Sequence, residues 1–135
     1  LTTENGWGLA AADYDHDGDM DLIAGALFEN QRGQGEWVAV RAVGDVASNR
    51  AAIGATVHVN VNGSTYTRHV QGGSGQGCQD SQTLHFGLGV STAIDSIDVQ
   101  FPGSESVHFE GPFASGQKIW LYESGVHSFG WAETR

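Results

Sequence analysis

The chain has 135 residues, enough for one domain or a small domain with an appendage, and carries a formal net charge of −10. Its six Lys and Arg are scattered among sixteen Asp and Glu, which leaves no basic stripe for DNA or RNA and disfavours an anionic membrane surface. Twenty glycines against two prolines point to many tight turns and an all-β chain. The lone cysteine, Cys78, excludes an internal disulfide, and no apolar run is long enough to insert in a membrane.

The first elements are two short apolar runs with glycine, residues 6–12 and 22–28, which read as buried strands with helix as the weaker alternative. Between them lies Asp13-Tyr14-Asp15-His16-Asp17-Gly18-Asp19-Met20-Asp21-Leu22, with five aspartates on alternate positions. In a plain strand these would line one face and repel one another. Gly18 breaks the strand, because it can take the left-handed conformation a tight loop needs, and the carboxylates converge. Convergent carboxylates call for a cation, and hard oxygen ligands in a flexible loop suit Ca²⁺ better than Mg²⁺ or a transition metal. Asp13, Asp15, Asp17 and Gly18 share the opening pattern of an EF-hand, but its twelfth position, which needs a bidentate Glu, is Ala24. Asp21 is the closing carboxylate instead, with the main-chain carbonyl of Asp19 as a ligand between. The candidate metal residues are therefore Asp13, Asp15, Asp17, Asp19 and Asp21, and the competing reading is a solvated acidic loop of Asx turns. Over residues 5–30 this loop resembles the calcium loop of FG-GAP repeats, the β-propeller repeats of integrin α subunits and of many secreted bacterial proteins.

Residues 29–36 are polar and read as a linker. A strand follows over residues 37–43. Ile53, Ala55, Val57, Val59 and Val61 then alternate with small or polar residues, a half-buried strand of period two. Asn62-Gly63 predicts a type I′ hairpin turn, with Val59 opposite Tyr66, Val57 opposite Arg68 and Ala55 opposite Val70. That register puts Arg68 on the apolar face, where it must snorkel or find a carboxylate. Residues 72–79 form a glycine-rich loop without the Gly-Lys-Ser/Thr or the helix of a phosphate-binding loop. Further strands are expected over residues 83–89, with Leu84, Phe86 and Leu88 inward; around Ile97, Val99 and Phe101, closed by Pro102-Gly103; over residues 106–110; and over residues 118–122. The last is apolar on both faces, which predicts a strand covered on both sides. Several short strands at near-regular spacing predict an antiparallel β-sandwich or small barrel. Phe129 and Trp131 either dock on the core or end the chain in a disordered tail.

Ser48-Asn49-Arg50-Ala51-Ala52-Ile53-Gly54-Ala55, Gly72-Gly73-Ser74-Gly75, Leu84-His85-Phe86-Gly87-Leu88-Gly89 and Ile97-Asp98-Val99-Gln100-Phe101-Pro102 together resemble the ASPIC/UnbV domain. Gly77-Cys78 departs from its relatives. That domain commonly follows FG-GAP repeats at the C-terminus of large secreted bacterial proteins and of an acidic cartilage protein. The resemblance implies three parts: residues 1–34 as the last calcium-binding hairpin of a truncated propeller, residues 35–125 as the ASPIC/UnbV-like β domain, and residues 126–135 as a tail. It also implies a piece of a larger chain, whose separation from its neighbours invites self-association.

Candidates for bond-breaking chemistry are weak. Cys78 and His85 form the one thiol–imidazole combination, with no third orienting residue. His58, His85 and His108 fall on the polar phase of their strands and read as surface residues; Asp95 and Asp98 are expected on opposite faces, which disfavours a carboxylate pair. No HxxxH helix pattern for zinc appears. Trp37, Tyr66, Trp120, Tyr122 and Trp131 exceed what one small core requires and raise a second possibility, an aromatic platform for sugar rings. The sequence thus predicts a non-enzymatic, calcium-stabilised extracellular module, secreted or at the cell surface, with a structural, adhesive or protein-interaction role; the alternative is a carbohydrate-binding module of a larger protein. The identity of the protein or glycan partner is not encoded in any motif.

Overall fold

The computed structural model describes residues 8–31 and 35–130. Gly6 and Trp7 of the first apolar run, linker residues 32–34, and Trp131 lie outside the described residues. Eleven strands and no helix are found among the described residues. They are β1 (Ala10–Ala12), β2 (Asp21–Ile23), β3 (Leu27–Phe28), β4 (Glu36–Val43), β5 (Thr56–Val61), β6 (Ser64–His69), β7 (Leu84–Gly89), β8 (Ala93–Gln100), β9 (Ser106–Ala114), β10 (Gln117–Tyr122) and β11 (His127–Phe129). Three sheets result, in the orders β1-β2-β3, β11-β10-β4-β7 and β6-β5-β8-β9. The last two pack face to face as a sandwich, and no sheet closes into a barrel.

The core follows from alternation. Val57, Val59 and Val61 of β5, Ile97 and Val99 of β8, and Phe109 and Phe113 of β9 meet Val38, Val40 and Ala42 of β4, Leu84, Phe86 and Leu88 of β7, and Ile119 and Leu121 of β10. The Asn62-Gly63 turn has φ of 50° and 77°, as a type I′ turn requires, and the expected register holds: Val59 faces Tyr66 and Val57 faces Arg68. Beyond it the Val70 amide donates to the Ala55 carbonyl at 2.9 Å. Arg68 resolves its awkward position by laying its guanidinium over the Phe86 ring, 5.7 Å from the centroid. It can do so because β6 is an edge strand, exposed along its whole length.

Four expectations need correction. The apolar run 22–28 is two strands, because Gly25 takes a φ of 73° and the Ala24 amide turns back to the Ala26 carbonyl. Ile53 lies outside β5 and is half exposed, since Ala52 and Gly54 adopt positive φ ahead of the strand. The sandwich is not wholly antiparallel: β4 and β10 pair in parallel from Gln117↔Val38 to Tyr122↔Val43. A bulge between Ile94 and Ser96 keeps Ile94 in the core and leaves Asp95 exposed, so Asp95 joins Asp98 on the solvent side.

The two apolar faces of β10 have separate partners. Ile119 and Leu121 enter the sandwich, while Lys118, Trp120 and Tyr122 face the other way and are still buried. The Trp120 indole donates to the Gly130 carbonyl at 2.9 Å, and β11 pairs with β10, which ties the chain after residue 126 to the sheet. The other end of this outer face carries Trp37 and the row Lys118–Ala39–His85 across β10, β4 and β7. The acidic loop of the first sheet covers it.

Candidate metal centre

The loop between β1 and β2 curls at two positive-φ residues, His16 at 65° and Gly18 at 97°. Its amides fold back on its carboxylates. The Gly18 amide donates to Asp13 Oδ2 at 3.1 Å, that of Asp17 to Asp15 Oδ1 at 3.3 Å, and that of Asp19 to Asp17 Oδ1 at 2.8 Å. Asp21 is 1% exposed and accepts at both oxygens, from the Tyr14 amide at 2.8 Å and the Asn30 amide at 2.8 Å.

One carboxylate oxygen each of Asp13, Asp15 and Asp21 lies within 4.8 Å of the others. Asp17 and Asp19 are not part of this group; Asp17 is exposed and spends one oxygen on the next turn. Asp13 Oδ1 is buried and has no hydrogen-bond partner. Burial pushes the Asp13 carboxyl up, against the pull of the Gly18 and His16 amides. A buried, unpartnered carboxylate oxygen beside two more carboxylates is an unfavourable arrangement on its own. It fits a hard divalent cation, whose ligands are oxygens of this kind.

The loop is seated on the sandwich by close contacts. Gly18 is buried against the Trp37 indole; a Cβ at residue 18 would fall 2.0 Å from Trp37 Nε1. Trp37 in turn stacks on His85, with ring centroids 5.7 Å apart. Gly18→Ala is therefore expected to destabilise the protein by about 1–3 kcal/mol through overpacking and a strained φ, measured by urea denaturation. A second seam lies along β1: the Ala11 amide donates to Asp80 Oδ1 at 2.9 Å, the Ser81 amide to the Ala11 carbonyl at 3.0 Å, and the Cys78 thiol occupies the space beside Gly8.

His85 is thus not a surface residue. It is half-buried, and burial pushes its imidazole down in pKa, against the nearby Asp13 charge. No hydrogen bond joins it to Cys78, whose thiol donates to the Gln76 carbonyl. His58 bonds Thr67 and exposed His108 lies between Asp98, at 2.6 Å, and Glu110, at 2.9 Å. Trp120 and Tyr122 are buried, Trp37 is held between Gly18 and His85, and Tyr66 is exposed on β6. These four described aromatics share no exposed face.

A second constellation escaped the sequence reading. Glu123, 7% exposed, accepts from the Val46, Ala47 and Ser48 amides at 3.0 Å each and from the Ser104 hydroxyl. The Ser48 hydroxyl lies 3.0 Å from Glu123 and 2.8 Å from the Pro102 carbonyl. Ser124 answers by donating its amide and hydroxyl to Asp45, both at 2.8 Å. Burial alone would raise the Glu123 carboxyl; the donors from Ser104, Ser48 and Val46 outweigh it and bring the pKa to about 2. This clasp is structural, closing the loop after β4 onto the end of β10.

Residues 44–128, more than half of the chain, match the family described as ASPIC and UnbV. The chain belongs to this family. Residues 5–36 match the FG-GAP repeat, which precedes the ASPIC and UnbV domain. No curated protein matches the chain. The acidic loop falls wholly within the FG-GAP repeat, whereas both sides of the Glu123 clasp, and His85, belong to the ASPIC and UnbV domain. Both are β-domains of the kind found in extracellular or surface proteins. No helix among the described residues is long and apolar enough to cross a membrane.

Proposed function

We propose that this chain is a non-enzymatic extracellular module in which Ca²⁺, held by Asp13, Asp15 and Asp21, fixes the FG-GAP hairpin to the ASPIC and UnbV sandwich for a structural or protein-interaction role. The observation that carries the reading is Asp13 Oδ1, buried without a partner in a triad of carboxylates. The FG-GAP match supports it, because such repeats are generally associated with calcium. The cation supplies charge compensation and oxygen coordination; the chain's own residues supply the seat, through Gly18 on Trp37 and Ala11 on Ser81. The net charge of −10 fits a protein partner rather than nucleic acid. Secretion or display at a cell surface fits a site of this kind, since extracellular calcium modules bind in about the 10⁻⁴–10⁻³ M range.

Calcium at ten times its Kd is expected to stabilise the folded state by about 1.4 kcal/mol, a rise in Tm of about 5 °C for a domain this size. An Asp13→Asn, Asp15→Asn double variant is expected to lose that rise. Thermal unfolding in calcium against chelator checks both. Equal melting of the wild type in the two conditions refutes the reading.

A further inference from the structure

Between the acidic loop and the sandwich lies a cavity of about 80 Å³ lined by Asp13, His16 and Met20 of the loop and by Ala39, Ser81, Thr83, His85 and Lys118. Ala39 stands between Lys118 and His85 in the row across the sheet, and its small side chain leaves the space open. Two buried polar atoms among the described residues have no hydrogen-bond partner: Asp13 Oδ1 and His85 Nδ1. Both belong to residues lining this cavity, one from each domain. They make no hydrogen bond to each other.

We infer that a water held in this cavity joins His85 Nδ1 to the lone pair of Asp13 Oδ1 that the cation leaves free, so that His85 is a positioning residue for the cation of the acidic loop. The inference rests on the calcium reading above. Buried polar atoms in native proteins are almost always satisfied, by protein or by ordered water. A cavity of 80 Å³ exceeds the roughly 10–15 Å³ that one water needs. Asp13 Oδ1 and His85 Nδ1 give such a water the two partners it needs. It can donate to a bare imidazole nitrogen or accept from a protonated one, so either tautomer is served. Outer partners of this kind hold a ligand's orientation, and their loss weakens metal binding by about 10–100-fold. Calcium occupancy would thereby be read directly by the ASPIC and UnbV sheet.

His85→Phe keeps a ring to stack on Trp37 and removes the nitrogen; His85→Asn returns a polar atom near the position of Nδ1. Calcium affinity is measured for all three proteins by calorimetry, and Tm is measured in calcium and in chelator. Expected is a Kd about 10-fold weaker for His85→Phe, partial recovery in His85→Asn, and a loss of Tm confined to calcium. An unchanged Kd in both variants, or an equal drop in Tm with and without calcium, overturns the role of His85 and leaves the calcium reading standing. Absence of calcium binding in the wild type overturns both.

Discussion

Replacing Glu123 by alanine is expected to lower the melting temperature by roughly 10 °C or more. The substitution strips the acceptor from three consecutive amides, those of Val46, Ala47 and Ser48, and from the Ser104 hydroxyl. Donors left without a partner in a part-buried loop carry a desolvation penalty that a merely absent contact would not. The loop is then held to the end of β10 by the Glu123 amide, which donates to the Val43 carbonyl at 3.0 Å, and by Ser124 on Asp45. Glu123→Gln keeps one acceptor oxygen and should fall between alanine and wild type. The same residue sets a pH dependence. Its folded pKa of about 2 lies below the ordinary value of 4.5. Unfolding therefore takes up a proton between those values, and the stabilisation, complete above pH 4.5, is lost as pH falls toward 2. Urea denaturation at steps across that window should show a steeper loss of stability for wild type than for Glu123→Gln.

Asp21→Ala is expected to destabilise the protein by about 2–4 kcal/mol and to abolish its response to calcium. Asp21 has two separable duties. In the fold its oxygens receive the Tyr14 and Asn30 amides, joining the start of the acidic loop to the chain after β3. In the metal centre it supplies one corner of the carboxylate triad. Asp17→Ala offers a contrast, because Asp17 is exposed and its carboxylate receives only the Asp19 amide. It should cost less than 1 kcal/mol or so and leave most of the calcium response. Chemical denaturation in calcium and in chelator separates the duties: Asp21→Ala should be weaker than wild type in both media, and its curves should coincide.

Much of this was legible in the chain before any coordinates. Alternating aspartates interrupted by Gly18 could only converge by curling, and the loop does curl there. Asn62-Gly63 fixed a turn type, and with it the pairing of every residue from Val57 to Arg68. Local chemistry decides such features, so local sequence reports them. The features that were missed depend on contacts distant in sequence. His85 alternates as a surface residue should, yet the face it points from is covered by a loop some seventy positions earlier in the chain. Glu123 follows an apolar strand and reads as its polar end, until the loop at residues 46–48 closes over it. The parallel pairing of β4 with β10 is likewise a property of how the sandwich closes. The two-sided apolar pattern of β10 did announce that something covers its outer face; it could not say that the acidic loop shares that role. The spacing singled out Asp21 as the closing carboxylate and Asp19 for its main-chain carbonyl; that the Asp17 carboxylate stands outside the group of Asp13, Asp15 and Asp21 shows only once the loop has curled.

The most direct measurement is a crystal structure grown in millimolar calcium, with the ion located by its anomalous scattering. The account predicts one ion bound by Asp13, Asp15 and Asp21, with Asp13 Oδ1 among ligands at about 2.3–2.6 Å. An acidic loop that holds no ion under those conditions, with Asp13 Oδ1 turned out to solvent, would contradict it.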